Sequence, residues 1–199
     1  MTTFSCADLG RLTHEVATAW RAGSGRDWSV PAGTLEWSCA NTADHAVDTL
    51  LAPAFFLASR RVDGYPEYGA FTPGPTASPG MLVEALEALE ALEASSRILA
   101  AIVTAAPPDT RAVLSRRPRV ETGPPADFVP RGALELILHA HDVCLGLRVP
   151  FAPSSDLCDR LARHTRGWPL WAAAAGWRPP EVTPDPWRAL LAASGRSPV

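Results

Sequence analysis

Lysine is absent from this chain of 199 residues, and all 18 of its basic residues are arginine. The net charge is −3 and the pI is near 5.9, and no basic segment stands out beyond Arg116-Arg117-Pro118-Arg119. Nucleic-acid-binding domains carry a basic patch or stripe, typically with a pI above about 9. The sequence therefore predicts no nucleic-acid partner.

Paired cysteines are missing as well. Cys6, Cys39, Cys144 and Cys158 are scattered without a C-x-x-C pair, which argues against a zinc ribbon and against a disulfide framework. No window reaches the roughly 18 apolar residues of a membrane-spanning helix, and the first residues do not resemble a secretion signal. We therefore expect a soluble, cytoplasmic protein with reduced cysteines and no membrane partner.

Apolar residues recur at helical spacing through most of the chain, and no segment alternates with period two over five residues. Helices are expected at about 6–22, 38–61, 79–106, 131–146, 154–166 and 186–193. The sequence thus predicts an all-α domain with four main helices and additional short C-terminal helices. Residues 1–168 would form the bundle, and 169–199, rich in Pro and Trp, would pack on it with the last residues disordered.

The ends of these helices carry specific signals. Ser5 and Asp8 have the spacing of a capping box, and Ser38 is a suitable N-cap for the second helix. Pro53 lies inside that helix and predicts a kink or break near residue 50, because proline removes an intrahelical hydrogen bond. Gly146 is expected to end the fourth helix. Residues 107–130, with six prolines, are expected to form a long connection between the third and fourth helices.

Four polar groups lie in an otherwise apolar run of the fourth helix. Glu135 and His139 are four residues apart and share a helix face, and Asp142 follows one turn later. Burying a carboxylate beside imidazoles costs several kcal/mol unless something pairs with them. A divalent metal would do so, and His45 on the second helix is the candidate third ligand. Two imidazoles and one carboxylate leave coordination positions open for substrate.

Each of these residues also has a simpler interpretation. A buried histidine is more often a hydrogen-bonded core residue than a ligand. Asp142 could cap a helix or pair with an arginine, and His141 should point away from His139 toward a packing position or a pocket rim. At a wet pocket edge, His141 could act as an acid or base. Cys144 is expected to be a small core residue.

Two motifs resemble a known family. Trp28, Leu35-Glu36-Trp37-Ser38 and His45 are similar to the opening signature of the DinB-like superfamily, in particular the mycothiol-dependent maleylpyruvate isomerase N-terminal domain. The second signature, Glu-x-x-x-His-x-x-Asp, matches 135–142. The resemblance covers about 5–165. The family's more common His-Gly-Trp-Asp or His-Arg-Val-Asp is His-Ala-His-Asp here, which suggests a changed pocket rim.

The resemblance implies an up-down four-helix bundle with a divalent metal bound by His45, Glu135 and His139. Zinc is the usual metal, with nickel or iron as alternatives. Asp142 would orient a ligand, and Asp142 and His141 would handle protons. The implied activity is that of an enzyme using mycothiol or another small thiol for S-transfer to, or isomerisation of, a small electrophilic substrate.

Two alternatives stay open beside this enzyme. The chain could be a non-catalytic metal-binding module that acts in stress response or interaction as a homodimer. Alternatively, the metal site could be vestigial.

Overall fold

The computed structural model describes residues 3–65, 85–116 and 118–197. In this part of the chain six α-helices are accompanied by one two-stranded sheet. The helices are α1 Cys6–Ala22, α2 Cys39–Ser59, α3 Ala85–Ala105, α4 Phe128–Leu147, α5 Ser155–Thr165 and α6 Pro186–Ala193. The strands are β1 Ala112–Ser115 and β2 Glu121–Gly123, and short 3-10 helices cover Pro125–Asp127 and Pro169–Ala172. The expectation of a mostly helical protein is confirmed.

Helix α1 begins at the predicted capping box. The Asp8 amide donates to the Ser5 hydroxyl at 3.3 Å, and the Ser5 amide donates to the Asp8 carboxylate at 2.9 Å. Two backbone donors that have no intrahelical partner are thereby satisfied. The buried face of the helix is led by Leu9, Leu12 and Trp20. This helix has the predicted bounds because its capping signal and its apolar period agree.

Helix α2 runs unbroken through Pro53, so the expected break near residue 50 is wrong. Proline leaves the carbonyl four residues earlier, that of Thr49, without its amide donor. That carbonyl lies against Gly132 of α4, where an added Cβ would be only 3.2 Å from the Thr49 oxygen. Pro53 and Leu50 are themselves buried. Close packing on α4 therefore keeps the helix continuous across the proline.

The connection before α4 contains a structure that the sequence did not predict. Strands β1 and β2 pair antiparallel, with Ala112 opposite Gly123, Val113 opposite Thr122 and an irregularity before Ser115. Strand β1 has four residues, all buried, and β2 has three. Neither strand is long enough, nor exposed on one face, to show alternation with period two.

Helix α4 is longer than predicted at both ends. It begins at Phe128, directly after the 3-10 helix Pro125–Asp127, and ends at Leu147. The helix stops where Arg148 takes a left-handed conformation with φ of 55°. The prediction that Gly146 ends the helix is therefore wrong, because Gly146 is still helical.

The C-terminal residues belong to the same core as the helices α1 to α5. Leu170, Trp171, Leu190 and Leu191 are buried in the hydrophobic cluster that also contains the helices α1 to α5. The predicted start of the third helix at Ser78-Pro79 and the predicted disorder at 198–199 lie outside the described residues. Among the helices that are described, none is both long and apolar enough to cross a membrane.

Candidate functional site

Two glycines of α4 set its register against α2. Gly132 lies against the Thr49 carbonyl, and Gly146 lies against Cys39, where an added Cβ would be 2.6 Å from the sulfur. Gly132, near the start of α4, meets Thr49 in the middle of α2, whereas Gly146, near the end of α4, meets Cys39 at the start of α2. The two helices are therefore antiparallel. His139 lies midway between the two glycines. It is thereby placed opposite His45, which lies about midway between Cys39 and Thr49.

The structure brings His139 into contact with both His45 and Glu135. The ring centroids of His45 and His139 are 4.8 Å apart at an interplanar angle of 76°. The Nε2 atom of His139 is 3.6 Å from Oε2 of Glu135. The His139 and Glu135 side chains are 12% and 20% exposed, so the pair is mostly shielded but still reachable from solvent.

The spacing of Glu135 and His139 fits metal donors better than a hydrogen bond. Their 3.6 Å contact exceeds the roughly 2.7–3.2 Å of a hydrogen bond. Two donors on one tetrahedral zinc with bonds of about 2.0–2.1 Å are about 3.4 Å apart. The imidazoles of His45 and His139 pack edge to face, so their contact is between the two rings and not between two metal-binding nitrogens. Over the described ranges, no set of three or more His, Cys, Asp or Glu side chains is grouped so that it could hold a metal ion.

Each of the two imidazoles has a buried nitrogen without a partner. Nδ1 of His45 and Nδ1 of His139 lack a hydrogen bond within the described part of the protein. Burial, and then the neighbouring His139, lower the pKa of His45 to about 4, which keeps its ring neutral near pH 7. Neutral imidazole is the form that binds metal. Trp37 packs edge to face against His45, with ring centroids 5.1 Å apart, and shields one side of the imidazole.

Arg131 pairs with the carboxylate of Glu135 one helical turn away. Burial acts to raise the pKa of Glu135, but Arg131 and His139 outweigh it and hold that pKa well below its usual range. Glu135 is therefore ionised, with one oxygen on the arginine and the other facing His139. Arg131 was not singled out from the sequence, although its i, i+4 spacing to Glu135 carried the signal.

Asp142 lies on the other side of the His139 ring. Its Oδ2 is 3.5 Å from Nδ1 of His139, and its two oxygens accept hydrogen bonds from Arg196 at 2.9 and 2.7 Å. Burial acts to raise the pKa of Asp142, whereas His139 and Arg196 lower it, with a net decrease. The arginine-paired interpretation of Asp142 is what the structure shows. Arg196 is 54 residues away in sequence, and no local pattern could have identified it.

His141 points to a different part of the molecule. Its ring contacts Trp187 of α6 edge to face, with centroids 5.6 Å apart, and its imidazole is hydrogen-bonded to the backbone of Ser197. It lines a pocket that contains none of the three candidate ligands. Its position is thus the pocket rim rather than the metal-ligand cluster. Cys144 is buried, as expected of a core residue, and burial raises the pKa of its thiol to about 12.

Aromatic and cationic side chains border the outer side of Arg131. Tyr65 hydrogen-bonds to Arg131, stacks on Phe56 with centroids 4.2 Å apart, and lies under the Arg116 guanidinium at 4.5 Å. Arg116 is a cation that the sequence showed only as part of a basic segment. The approach to Glu135 along this side is therefore positively charged.

An acidic pair on α2 makes stability depend on pH. Burial, and then Asp44, raise the pKa of Asp48 from 3.8 to about 6, so folding disfavours its ionised form. This destabilisation is present above about pH 6 and disappears as pH falls toward the unfolded-state value near 4. At pH 7.5, Asp48→Asn is expected to raise the free energy of unfolding by about 1 kcal/mol, after discounting the shift for partial exposure. Urea unfolding at pH 7.5 and 4.5 measures it.

Asp156 on α5 provides the control with the opposite sign. The hydrogen bond from Arg11 is the main cause that lowers the pKa of Asp156 to about 2. Asp156→Asn should therefore destabilise at pH 7.5, and this effect should be lost progressively as pH falls from about 4 to about 2. An Asp48→Asn variant that is no more stable than the wild type at pH 7.5 would contradict the prediction.

Comparison of the chain with family models, with curated proteins and with solved structures found no match. The resemblance described above therefore stands on the two motifs and on the position of their residues in the fold.

Proposed function

We propose that this chain is a metal-dependent enzyme in which His45, Glu135 and His139 bind a divalent metal, zinc in the first instance. The observation that carries the proposal is that His139 on α4 contacts both Glu135 on the same helix and His45 on the antiparallel α2. Two imidazoles and one ionised carboxylate are the donor types that zinc takes in catalytic sites, and Nδ1 of His45 is buried without a partner among the described residues. Burial acts to lower the pKa of His139, but Asp142 and Glu135 outweigh it and raise that pKa, so metal binding would have to displace the ring proton of His139. Nickel and iron are the alternatives to test beside it.

The neighbouring residues would hold these ligands in place. Arg131 keeps Glu135 ionised and fixes one of its oxygens. Asp142, held by Arg196, orients the His139 ring through Nδ1 so that Nε2 faces Glu135. Such an outer carboxylate sets the tautomer and raises the basicity of a histidine ligand. The role of Asp142 is then to position His139, since its oxygens are already occupied.

A bound metal would lower the pKa of a coordinated thiol and so supply a thiolate nucleophile near neutral pH. We propose a small thiol, mycothiol or one like it, as the cosubstrate and a small electrophile as the substrate, with S-transfer or isomerisation as the reaction. Arg131 and Arg116 would attract an anionic thiol toward the exposed edge of the site. His141 lines a different cavity, where it contacts Trp187, so the proposal gives it no step at the metal.

Metal content tests the site. Protein dialysed with zinc, and then freed of excess metal, is expected to retain about one equivalent by elemental analysis. His45→Ala and His139→Ala should each weaken binding by more than about 100-fold, beyond the roughly 10–100-fold effect of outer residues. Asp142→Asn should fall within that smaller range.

His14 provides the matched control for these histidine variants. It is exposed on α1, outside the α2–α4 pair, so His14→Ala should retain the wild-type metal content. A wild type without stoichiometric metal after zinc, nickel and iron loading rules out the metal site. Equal metal loss in His14→Ala would show that the bound metal is not at His45 and His139.

The thiol is tested separately by calorimetric titration of metal-loaded and metal-free protein with mycothiol and with glutathione. The proposed function requires saturable binding only in the metal-loaded protein. A second candidate, a metal-binding module without catalysis, is favoured by the occupation of both Asp142 oxygens by Arg196. Stoichiometric metal with no binding of either thiol would support the second candidate over the first.

A further inference from the structure

A second cavity lies on the opposite side of α4 from the candidate metal ligands, between the end of α4 and α6. It encloses about 530 Å³, within the roughly 300–1,000 Å³ of small-molecule sites. It shares none of His45, Glu135 and His139. Its walls are mainly apolar and comprise Cys144, Leu145, Val149, Pro150, Phe151 and Leu191.

One aromatic side chain forms a flat wall of this cavity. Trp187 is contacted edge-on by His141 at 5.6 Å and by Phe151 at 5.9 Å, so its ring is fixed from two sides. Trp187 is only partly buried, and its indole N–H has no partner in the described part of the chain. Buried or half-buried tryptophans usually find an acceptor. This donor is therefore available to a bound molecule.

Two arginines border the same cavity without a counter-ion. The guanidinium groups of Arg148 and Arg188 form no ion pair or hydrogen bond with any described residue. Asp185 also lines the cavity, and its carboxylate accepts from the Arg188 backbone amide at 3.0 Å and caps α6. The polar groups that the cavity offers are thus mainly donors, with an excess of positive charge.

We propose that this cavity binds a small aromatic carboxylate, with its ring against Trp187 and its carboxylate on Arg148 and Arg188. Guanidinium groups bind carboxylates through parallel N–H donors, and apolar walls of this size enclose a planar ring. Cys144 at the floor is 2% exposed and stays a protonated thiol, so the cavity binds its ligand without covalent chemistry. The site is distinct from the proposed metal site and does not depend on it.

Calorimetric titration of the full chain with 1-naphthoate, and with the neutral 1-naphthamide, tests this proposal. We expect saturable binding of the acid, at least about tenfold tighter than the amide, the effect of one hydrogen bond to a charged group. Arg188→Gln should weaken binding of the acid by about tenfold or more. Arg148→Asn should do the same, and asparagine tolerates the left-handed backbone at this position.

Arg166 is the matched control. It is an exposed arginine at the end of α5, outside the cavity, and Arg166→Gln removes the same charge. Its affinity for 1-naphthoate should stay within about twofold of the wild type, while His45→Ala should bind 1-naphthoate unchanged even if it has lost metal. Since all three arginines are exposed, we expect their variants to fold, and their circular dichroism spectra are compared with that of the wild type.

Three results would overturn the proposal. They are the absence of saturable binding of 1-naphthoate at millimolar concentration, equal affinity for the amide, and an equal loss in Arg166→Gln and Arg188→Gln. Loss of binding in His45→Ala would show that the cavity is not separate from the candidate metal ligands.

Discussion

Replacing Gly146 by alanine is expected to lower the free energy of unfolding by about 3 kcal/mol or more. A Cβ at this position would lie 2.4 Å from the Pro31 carbonyl oxygen and 2.6 Å from the Cys39 sulfur. The first of these atoms belongs to the backbone, in a segment fixed by the hydrogen bond from the Ala32 amide to Trp37. The end of α4 must therefore move away from the start of α2. Guanidinium unfolding measures the loss.

Gly10 supplies the matched control within α1. A Cβ added there meets nothing within 4 Å, and the position is exposed. Gly10→Ala should therefore raise the free energy of unfolding by about 0.5–1 kcal/mol, because alanine has the higher helix propensity. The two substitutions are chemically identical and should have opposite signs. A Gly146→Ala variant as stable as the wild type would contradict the close packing of α4 on α2.

Gly146 also shows where sequence patterns mislead. A glycine after the last apolar residue of a periodic run is typical of a helix end, and the sequence supported that interpretation. The same residue type also allows two backbones to approach closely. Only the position of Cys39 and Pro31, more than a hundred residues earlier, distinguishes the two uses. The helix therefore ends at Leu147, before the left-handed Arg148, although a left-handed arginine is not a sequence signal.

Helix positions were largely predictable because local signals agree with the buried faces. Ser5 and Ser38 cap α1 and α2 as predicted, and α6 has the predicted bounds. The β1–β2 hairpin was not predictable, because neither of its short strands shows alternating polar and apolar residues. The predicted kink at Pro53 is untested, and the predicted break is wrong because packing of α2 against Gly132, a tertiary contact, keeps the helix continuous.

The contacts of the candidate site likewise fall into those that local sequence predicts and those that depend on how helices pack. Contacts within α4, such as Glu135 with His139, follow from helical spacing alone. The juxtaposition of His45 with His139 follows from the antiparallel register of two helices, which the family resemblance suggested and the close contacts of Gly132 and Gly146 explain. That His141 acts as an acid or base remains a prediction. Its ring contacts Trp187, which lines a different cavity from the candidate metal ligands.

Removing the Arg196 side chain is expected to cost about 3–5 kcal/mol of stability, because it leaves the Asp142 carboxylate buried without its partner. The two hydrogen bonds of this pair, at 2.9 and 2.7 Å, connect the C-terminal segment to the middle of α4. The Asp142 side chain is 5% exposed, so water cannot replace the guanidinium. Arg196→Ala measured by urea unfolding gives the size of the effect.

A double variant distinguishes two causes of that loss of stability, the unpaired buried charge of Asp142 and the lost contacts of the Arg196 side chain. If an unpaired buried charge is the cause, adding Asp142→Asn to Arg196→Ala should recover at least about 1 kcal/mol, since the amide is uncharged. Arg178→Ala is the control in the same segment, because Arg178 is exposed and its side chain has no described partner. It should change stability by less than about 0.5 kcal/mol. An Arg196→Ala variant no less stable than Arg178→Ala would mean that the C-terminal segment is held on α4 by its apolar residues alone.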